Sequence, residues 1–214
     1  MGQKMNANAM RLGIGKTWSS RWYTDDPVLY RKQLLQDEAM RIYLRKKLNF
    51  AGLESVEILR SSNTVQVNVY VARPGVAIGR GGGGIDDIRS YLSRKYQTPV
   101  DIKINEVKKP ETSARVIARN IADGMERGRA PKRLMVTEKE KAITAGAHGI
   151  KIWISGTFGV PKQSRTIKLE EGVVPLQTLR ANVEFASEMA PVRNAGIHGI
   201  KVWVYRKSED EVSK

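Results

Sequence analysis

The hydrophobic positions in the first half of the chain change from helical to strand spacing. Asp26 and Pro27 form a typical helix start, and the helix is expected to end before Gly52, with apolar positions at Met40, Leu44, Leu48 and Ala51. Alternation then predicts two strands joined by a polar turn at residues 61–63, with apolar positions at Val56, Ile58, Val65, Val67, Val69 and Val71. The pattern indicates a long helix followed by a β-hairpin.

A short apolar turn and a glycine run follow the hairpin. Residues 74–78 can form a short helical turn, and residues 79–84 contain five glycines. Helical spacing then resumes at Ile85, Ile88, Tyr91 and Leu92, and a third strand is predicted at Val100, Ile102 and Ile104. The predicted order of this half is helix, strand, strand, short helix, helix, strand.

The second half predicts two helices and an antiparallel sheet. After a boundary at residues 108–110, one apolar helical face runs from Ala114 to Met125, and a second helix is expected after Pro131. Residues 145–154 and 195–204 agree at seven of ten positions and are interpreted as neighbouring strands rather than as a duplicated unit. A further strand is predicted over residues 179–186. The whole chain is therefore expected to be α+β.

Charge and composition narrow the function classes. The 37 Lys and Arg against 22 Asp and Glu give a net charge of +15, which favours a polyanionic partner. The absence of cysteine excludes disulfides, thiolate metal sites and thiol nucleophiles. No apolar run approaches the roughly 20 residues of a membrane span, and no signal-peptide pattern precedes the first helix. We expect a soluble, cytoplasmic chain that does not act on a membrane.

Two glycine motifs resemble nucleotide-binding loops. Residues 79–84 satisfy the dinucleotide pattern G-x-G-x-x-G, but no strand directly precedes them and Asp101 lies at the start of the next strand rather than at its end. Residues 13–17 resemble the end of a phosphate-binding P-loop, but Met10 stands where the first glycine belongs. A Lys16-dependent ATPase remains a weaker alternative.

No residue pattern predicts an enzyme. His148 and His198, the two histidines of the chain, each follow or precede glycines at a strand entry and have no nearby carboxylate cluster. Structural turns explain them better than a metal or catalytic pair does. We therefore expect no catalytic residue, no metal and no cofactor.

The glycine run also fits the G-x-x-G loop of a KH domain, which holds about four nucleotides by their backbone. Gly79, Arg80, Gly81 and Gly82 form this loop between two predicted helices. Missing side chains let a sugar–phosphate backbone approach, and Arg80 adds a charged contact. Residues 76–78 are expected to form an apolar floor for unstacked bases. The element order around the loop is that of a type II KH domain.

Short matches from end to end make the chain resemble the S-three family of bacterial small-subunit ribosomal proteins. They are Met1-Gly-Gln-Lys4, Arg11-Leu-Gly13, Arg21-Trp22-Tyr23, Ala72-Arg-Pro-Gly75, Ile78-Gly79, Glu106-Val-Lys-Lys-Pro110, Val174-Pro-Leu176, Thr178-Leu-Arg-Ala181 and Gly199-Ile-Lys-Val-Trp203.

This resemblance implies a type II KH domain (αββααβ) followed by an α/β domain with two helices on an antiparallel sheet. The expected division is a basic arm at residues 1–26, the KH domain at 27–107, the second domain at 108–206 and a tail at 207–214. It also implies a non-catalytic component of the small-subunit head that binds 16S rRNA and lines the mRNA entry channel. Neighbouring proteins of the S-ten and S-fourteen types, and no homo-oligomer, are expected.

The resemblance also implies which residues contact RNA. Lys132 and Arg133 match a basic patch that faces mRNA, whereas Val136 replaces its third cation and Glu138 lies close by. Residues 157–171 depart from the family pattern and are treated as a divergent loop. The arm is expected to contact rRNA through Lys4, Arg11, Lys16 and Arg21. A free KH protein that regulates single-stranded RNA remains the alternative.

Overall fold

The computed structural model describes residues 4–61, 63–159, 163–193 and 195–207. Residues 18–110 form one unit, and residues from Glu111 onward form a second unit together with those up to Thr17. Each unit has its own hydrophobic core. The segment predicted as one arm, residues 1–26, is thus divided between the two units. Most of the predicted tail, residues 208–214, lies outside the described part.

The first unit packs helices on a mixed sheet. In chain order it contains β1 (Ser20–Arg21), α1 (Pro27–Leu48), β2 (Leu53–Arg60), β3 (Val65–Val71), α2 (Pro74–Ile78), α3 (Gly83–Tyr96) and β4 (Val100–Glu106). The strand order is β1-β2-β3-β4, with β2 antiparallel to β3 and β3 parallel to β4. This confirms the predicted element order and adds β1, which pairs in parallel with β2.

Local sequence explains where α1 begins and where the chain reverses after it. The Asp26 side chain accepts a hydrogen bond from the N–H of Val28 at 2.9 Å, and Pro27 occupies the first turn, where no N–H is needed. Beyond a short 3-10 turn, Gly52 has a φ of 70°, and a Cβ there would lie 2.9 Å from the Cβ of Ala72. Glycine therefore permits both the left-handed turn and the close approach.

The first core lies between the helices and one face of the sheet. The alternate residues of β3 are all buried, as the period-two pattern predicts. The helices fill the space above them with Met40, Leu44, Leu48, Ile88 and Leu92.

The second unit packs two helices on one face of an antiparallel sheet, as predicted. Its elements are α4 (Ala114–Glu126), α5 (Pro131–Thr144), β5 (Gly149–Thr157), β6 (Ser164–Gly172), β7 (Asn182–Val192) and β8 (Gly196–Arg206). The strand order is β6-β5-β8-β7. The core joins the apolar face of α4 to the inward residues of the central strands, Ile150, Ile152, Ile154, Ile200, Val202 and Val204.

The two similar sequence segments fall on β5 and β8. These strands are direct antiparallel neighbours, with Ile152 opposite Val202. The interpretation as neighbouring strands is therefore confirmed.

The strands of this sheet differ from the predictions in two places: one strand was predicted as a loop, and another has different bounds. The divergent segment 157–171 contains most of β6, which pairs with β5 along its whole length. Its alternation is weak because β6 is an edge strand, with Ile167 and Leu169 only half buried. The strand predicted at residues 179–186 begins at Asn182 and continues to Val192.

Within the described residues, no helix is both long enough and apolar enough to cross a bilayer.

Candidate nucleic-acid interface

The glycine-rich connection between α2 and α3 forms an open loop. Gly79, Gly81 and Gly82 have positive φ angles of 73°, 64° and 84°. A Cβ added at Gly81 would meet no atom within 4 Å, and one at Gly82 would approach the Asp86 carboxylate at 3.8 Å. The backbone conformation therefore calls for glycine here, while the space beside Gly81 stays open to a ligand.

The next two glycines begin α3 and differ in what they require. A Cβ at Gly84 would lie 3.1 Å from the carbonyl oxygen of Ile78, so its absence lets α2 and α3 approach closely. Gly83 has neither a positive φ nor a close neighbour. The N–H groups that open α3 favour an anion beside the loop. The exposed Asp86 in the same turn competes for this positive helix end.

The apolar floor predicted at residues 76–78 is only partly available. Val76 and Ile78 are 50% and 37% exposed, but Ala77 is buried in the first core. Including Ala77 in a base-contacting surface was therefore wrong. The backbone of Arg80 belongs to the loop, whereas its side chain lies outside the described part of the structure.

A second cationic surface lies where α4 ends and α5 begins. We define the α4–α5 basic cluster as Arg127, Arg129, Lys132 and Arg133. All four side chains are exposed, and none forms an ion pair with a residue in the described ranges. Lys132 and Arg133 were predicted as site residues from the sequence, whereas Arg127 and Arg129 were not. The signal for them was the density of four cations within residues 127–133.

The turn before α5 fixes where these cations stand. Gly128 has a φ of 79°, its N–H donates to the Met125 carbonyl at 2.9 Å, and the N–H of Arg129 donates to the Gly124 carbonyl at 3.0 Å. These two bonds are the Schellman arrangement, which ends α4 at a left-handed glycine. Arg127 and Arg129 flank that glycine on an exposed turn.

The start of α5 holds the other two cations at an electrostatically unfavourable place. Pro131 occupies the first turn, and Lys132 and Arg133 follow it at the positive end of the helix. Each cation costs about 0.3–1 kcal/mol at such a position. A Cβ at Gly124 of α4 would lie 2.7 Å from the side chain of Leu134, so the two helices pack tightly beside the cluster.

Val136 and Glu138, which follow the cluster on α5, differ in exposure and in effect. Val136 is 38% exposed and lies one turn beyond Lys132 and Arg133, so it leaves an uncharged gap on the same face. Glu138 is buried, and it accepts hydrogen bonds from Asn120 at 3.2 Å and Lys141 at 2.7 Å. Because Glu138 is engaged inside the unit, it does not neutralise the cluster.

Arg11 is buried, contrary to its predicted role as an rRNA contact. Its Nε donates to the Ala181 carbonyl at 2.8 Å, and its terminal nitrogens donate to four further carbonyls, those of Ala7, Pro175, Leu176 and Thr178. Burial lowers its pKa from the ordinary value. The guanidinium is fully used in holding the N-terminal segment to residues 175–181, so it cannot reach RNA.

Lys4 and Lys16 lie in the same N-terminal segment. The Lys16 ammonium is half buried and donates to the Asn8 side chain at 2.8 Å, while Asn8 pairs with the backbone of Phe185 on the β7 edge. Lys4 is exposed, and its ammonium lies 5.7 Å from the centroid of the Trp153 ring. Lys4 thus stays open to RNA, whereas Lys16 helps to attach the segment.

The predicted P-loop fragment at residues 13–17 cannot hold phosphate in this fold. The N–H groups of Ile14, Gly15 and Lys16 all donate to the Arg11 carbonyl at 3.0–3.3 Å. The donors that a P-loop offers to phosphate are therefore occupied, and the Lys16 ammonium is bound to Asn8. The ATPase alternative loses its site.

Arg21 lies on β1 in the other unit, where its side chain is exposed. The chain around it is fixed through the buried Asp37 of α1. That carboxylate accepts hydrogen bonds from Trp22 at 2.8 Å and from Arg60 at 2.6 and 2.8 Å. The predicted arm residues are consequently divided between the units, with Lys4, Arg11 and Lys16 in one and Arg21 in the other.

The two histidines occupy opposite ends of the second sheet. His148 is exposed just before β5, whereas His198 is buried in β8 with its Nε2 2.9 Å from the Thr157 carbonyl. They form no pair. Within the described ranges, no group of three or more acidic, cysteine or histidine side chains is placed to hold a metal ion.

Fold and loop together define a KH-type RNA-binding protein with a second α/β unit. Two family models match the chain: "KH domain" over residues 39–112, and "Ribosomal protein S3, C-terminal domain" over residues 121–204.

Many relatives are named small ribosomal subunit protein uS3. The protein of Syntrophus aciditrophicus is 44% identical over 184 residues, which cover 86% of this chain and 84% of the relative. That of Gluconobacter oxydans is 42% identical over 190 residues, covering 89% and 84%. That of Clostridioides difficile is 40% identical over 185 residues, covering 86% and 68%.

The chain belongs to the uS3 family of small ribosomal subunit proteins, which is the family the sequence resembled. Membership makes it an RNA-binding structural constituent of the small subunit. Its relatives are ribosomal proteins, a structural rather than an enzymatic family.

Proposed function

We propose that the chain binds 16S rRNA in the head of the small subunit and that its α4–α5 basic cluster faces incoming mRNA at the entry channel. The cluster itself carries this proposal. Its four cations are exposed, have no ion pair within the described residues, and stand partly at a helix end where they cost stability. Such an arrangement is explained by an external polyanion better than by folding.

The physical contribution of the cluster is neutralisation of phosphate charge. Each phosphate contact on a single strand releases counterions and steepens the dependence of affinity on salt by about 0.7 in the logarithmic slope. Val136 leaves the third family position without a cation, while Arg127 and Arg129 lie on the adjoining turn. We infer that these two arginines extend the mRNA-facing surface beyond Lys132 and Arg133.

The KH loop supplies a different kind of contact. Gly79, Arg80, Gly81 and Gly82 hold a sugar–phosphate backbone against the open loop and the start of α3. The open space beside Gly81 and the positive φ angles support this role. Of the predicted arm cations, Lys4 and Arg21 stay in the proposal as rRNA contacts, because both are exposed.

The family also suggests the surroundings. We propose that the protein acts in the cytoplasm as one copy per small subunit, beside head proteins of the S-ten and S-fourteen types.

Crosslinking on assembled small subunits tests the mRNA-facing role. An mRNA with 4-thiouridine downstream of the decoding site should crosslink within residues 127–133, and Lys132→Gln/Arg133→Gln should reduce that yield several-fold. The control Lys46→Gln/Lys47→Gln removes the same charge from exposed positions on α1 and should leave the yield unchanged. Crosslinks from these residues to rRNA alone would refute mRNA contact.

The alternative is a free KH protein that regulates single-stranded RNA, and such a protein would use the same open KH loop. The two functions separate on a gradient. A ribosomal constituent sediments with small subunits through moderate salt, whereas a free regulator stays in the soluble fraction and binds short RNA without the particle.

A further inference from the structure

The sheet of the second unit has an outer face, opposite α4 and α5, that is only half covered. One part is covered by the N-terminal segment, whose Ala7 packs in one cluster with Val183 and Trp203 of the sheet. All three side chains are buried. Beyond Trp203 the face opens into a row of exposed or half-exposed positions on neighbouring strands, Thr166, Ser155, Gly199 and Met189.

Trp153 stands at the border between the covered and the open parts. It forms a T-shaped pair with Trp203, with ring centroids 5.1 Å apart and planes at 68°, and its Nε1 donates to Glu170 at 3.3 Å. The indole remains partly exposed. The contacts with Trp203 and Glu170 therefore fix the orientation of the indole, and part of its surface stays in contact with solvent.

Lysines surround this indole. Lys168 and Lys201 are its direct neighbours on β6 and β8, and Lys151 precedes it by two residues on the same face. The ammonium groups of Lys168, Lys151 and Lys4 lie 4.7, 4.9 and 5.7 Å from the ring centroid. Ammonium groups at such distances are attracted by the ring face.

The charges around the ring do not balance. Glu170 accepts a hydrogen bond from Lys151 at 2.7 Å, and this bond holds the Glu170 pKa below its ordinary value. Lys168 and Lys201 are exposed and have no ion pair among the described residues. Glu170 also attracts Lys168, but in the described part of the chain it is the one carboxylate beside the ring and is already bonded to Lys151, so cations outnumber it around the tryptophan.

The surface next to the ring is flat enough for a planar group. A Cβ at Gly199 would meet nothing within 4 Å, so the sheet is open at that point. The hydroxyl groups of Ser155 and Thr166 bond to each other at 2.9 Å and leave no long side chain over the strands. Met189, 69% exposed, adds an apolar side to this space.

We propose that this face binds an unpaired RNA segment, with one base stacked on Trp153 and the adjoining phosphates held by Lys168 and Lys201. An ammonium over the ring can exchange with a base, because both are attracted to the ring face, and then move to a phosphate. An unpaired segment fits because a base within a duplex has no free face to offer. The proposal rests on the RNA-binding function of the chain but not on the α4–α5 basic cluster.

Crosslinking in assembled small subunits whose rRNA carries 5-bromouridine tests the site. We expect a crosslink between Trp153 and an unpaired rRNA nucleotide, and we expect it to persist in Lys132→Gln/Arg133→Gln subunits. Failure of the mRNA-facing role would therefore leave this result intact. The proposal would be overturned if Trp153 crosslinked to no nucleotide, or only to another protein.

Binding of the full chain to an unstructured 12-nucleotide RNA gives a second readout. Trp153→Leu should weaken this binding about tenfold, the range of one lost base stack, while Trp153→Phe keeps a ring and most of the affinity. Thermal unfolding of each variant shows whether it is folded. Equal affinities for folded Leu and Phe variants would contradict the stacking role.

The role of the two lysines is tested by a double variant and a control double variant of the same net charge. Lys168→Gln/Lys201→Gln should reduce the Trp153 crosslink several-fold, whereas Lys46→Gln/Lys47→Gln, with the same net charge, should leave it unchanged. Equal reduction by both pairs would mean that overall charge and not this face binds the RNA.

Discussion

Arg11 donates its Nε–H to the carbonyl oxygen of Ala181 at 2.8 Å, across 170 residues of sequence. The buried Arg11 side chain makes five carbonyl contacts, one to Ala7 and four that tie the N-terminal segment to residues 175–181. The arginine for which the family resemblance implied an rRNA contact is thus a structural clamp.

Arg11→Ala should destabilise the second unit by about 3 kcal/mol, because several buried carbonyls lose a charged donor together. Urea unfolding of the full chain measures this loss. Arg31→Ala removes an exposed arginine of α1 and should change stability by less than about 0.5 kcal/mol. An Arg11→Ala chain that unfolds at the wild-type midpoint would contradict the clamp.

Asp37→Asn should destabilise the first unit by about 3–5 kcal/mol, the usual result of removing one partner of a buried ion pair. The Arg60 guanidinium, which is bound by two nitrogens, would lose its charged acceptor, and Trp22 would keep only an amide oxygen. Hydrogen exchange should show early opening of β1 and of the end of β2, where Arg60 lies. The exposed Asp87→Asn is the control, and comparable exchange in both variants would count against the prediction.

Two neighbouring glycines of the KH loop should respond oppositely to alanine. Gly82→Ala should cost about 1 kcal/mol because φ is +84° there, whereas Gly83→Ala in the first turn of α3 should stabilise by up to about 1 kcal/mol. Thermal unfolding measures both.

If the loop contacts RNA, Gly81→Asp should also weaken RNA binding about tenfold, since it places a carboxylate where a phosphate binds. Unchanged affinity would argue against the KH loop as a contact.

Val136→Lys should strengthen the α4–α5 basic cluster. The added cation lies on the face of Lys132 and Arg133, so the logarithmic salt slope for single-stranded RNA should steepen by about 0.7. Val136→Gln is the neutral control for the change in shape. Filter binding over a salt series gives the slope, and equal slopes for the two variants would show that this face does not meet phosphate.

Glu170 should titrate below its ordinary pKa of 4.5, mainly because Lys151 donates a hydrogen bond to it. A lowered folded-state pKa means that the stabilisation is present above the unfolded pKa and is lost as the pH falls through the folded one. Because the Glu170 side chain is about half exposed, solvent screens the pair and its contribution is below about 1 kcal/mol. NMR titration of Lys151→Gln should return Glu170 toward its ordinary value. If the Glu170 pKa stayed low in Lys151→Gln, a neighbour other than Lys151 would be responsible for lowering it.

The order of elements was readable because each local pattern agreed with the fold around it. The Asp26 cap, the alternation of β3 and the glycine before Leu53 all act within a few residues, and the structure shows each in its predicted place. The edge strand β6 was missed because an edge strand exposes both its faces in part, which removes the clear alternation that identifies a half-buried strand.

The candidate interface was predicted in outline only. Glycines at 79–82 and cations at 132–133 are contiguous in sequence, so spacing was enough to find them. Trp153 with its lysines was not found, because Lys168 and Lys201 reach it through strand pairing across long stretches of chain.

The sequence by itself determined the family, the order of the elements other than β1 and β6, and the excess of positive charge, since these follow from residue types and short spacings. Tertiary structure decided which cations face outward. Arg11 and Lys132 have the same formal charge, yet one is buried among carbonyls and the other stands exposed at a helix start. Burial depends on contacts between distant segments, and it decides whether an arginine or a lysine can neutralise a phosphate.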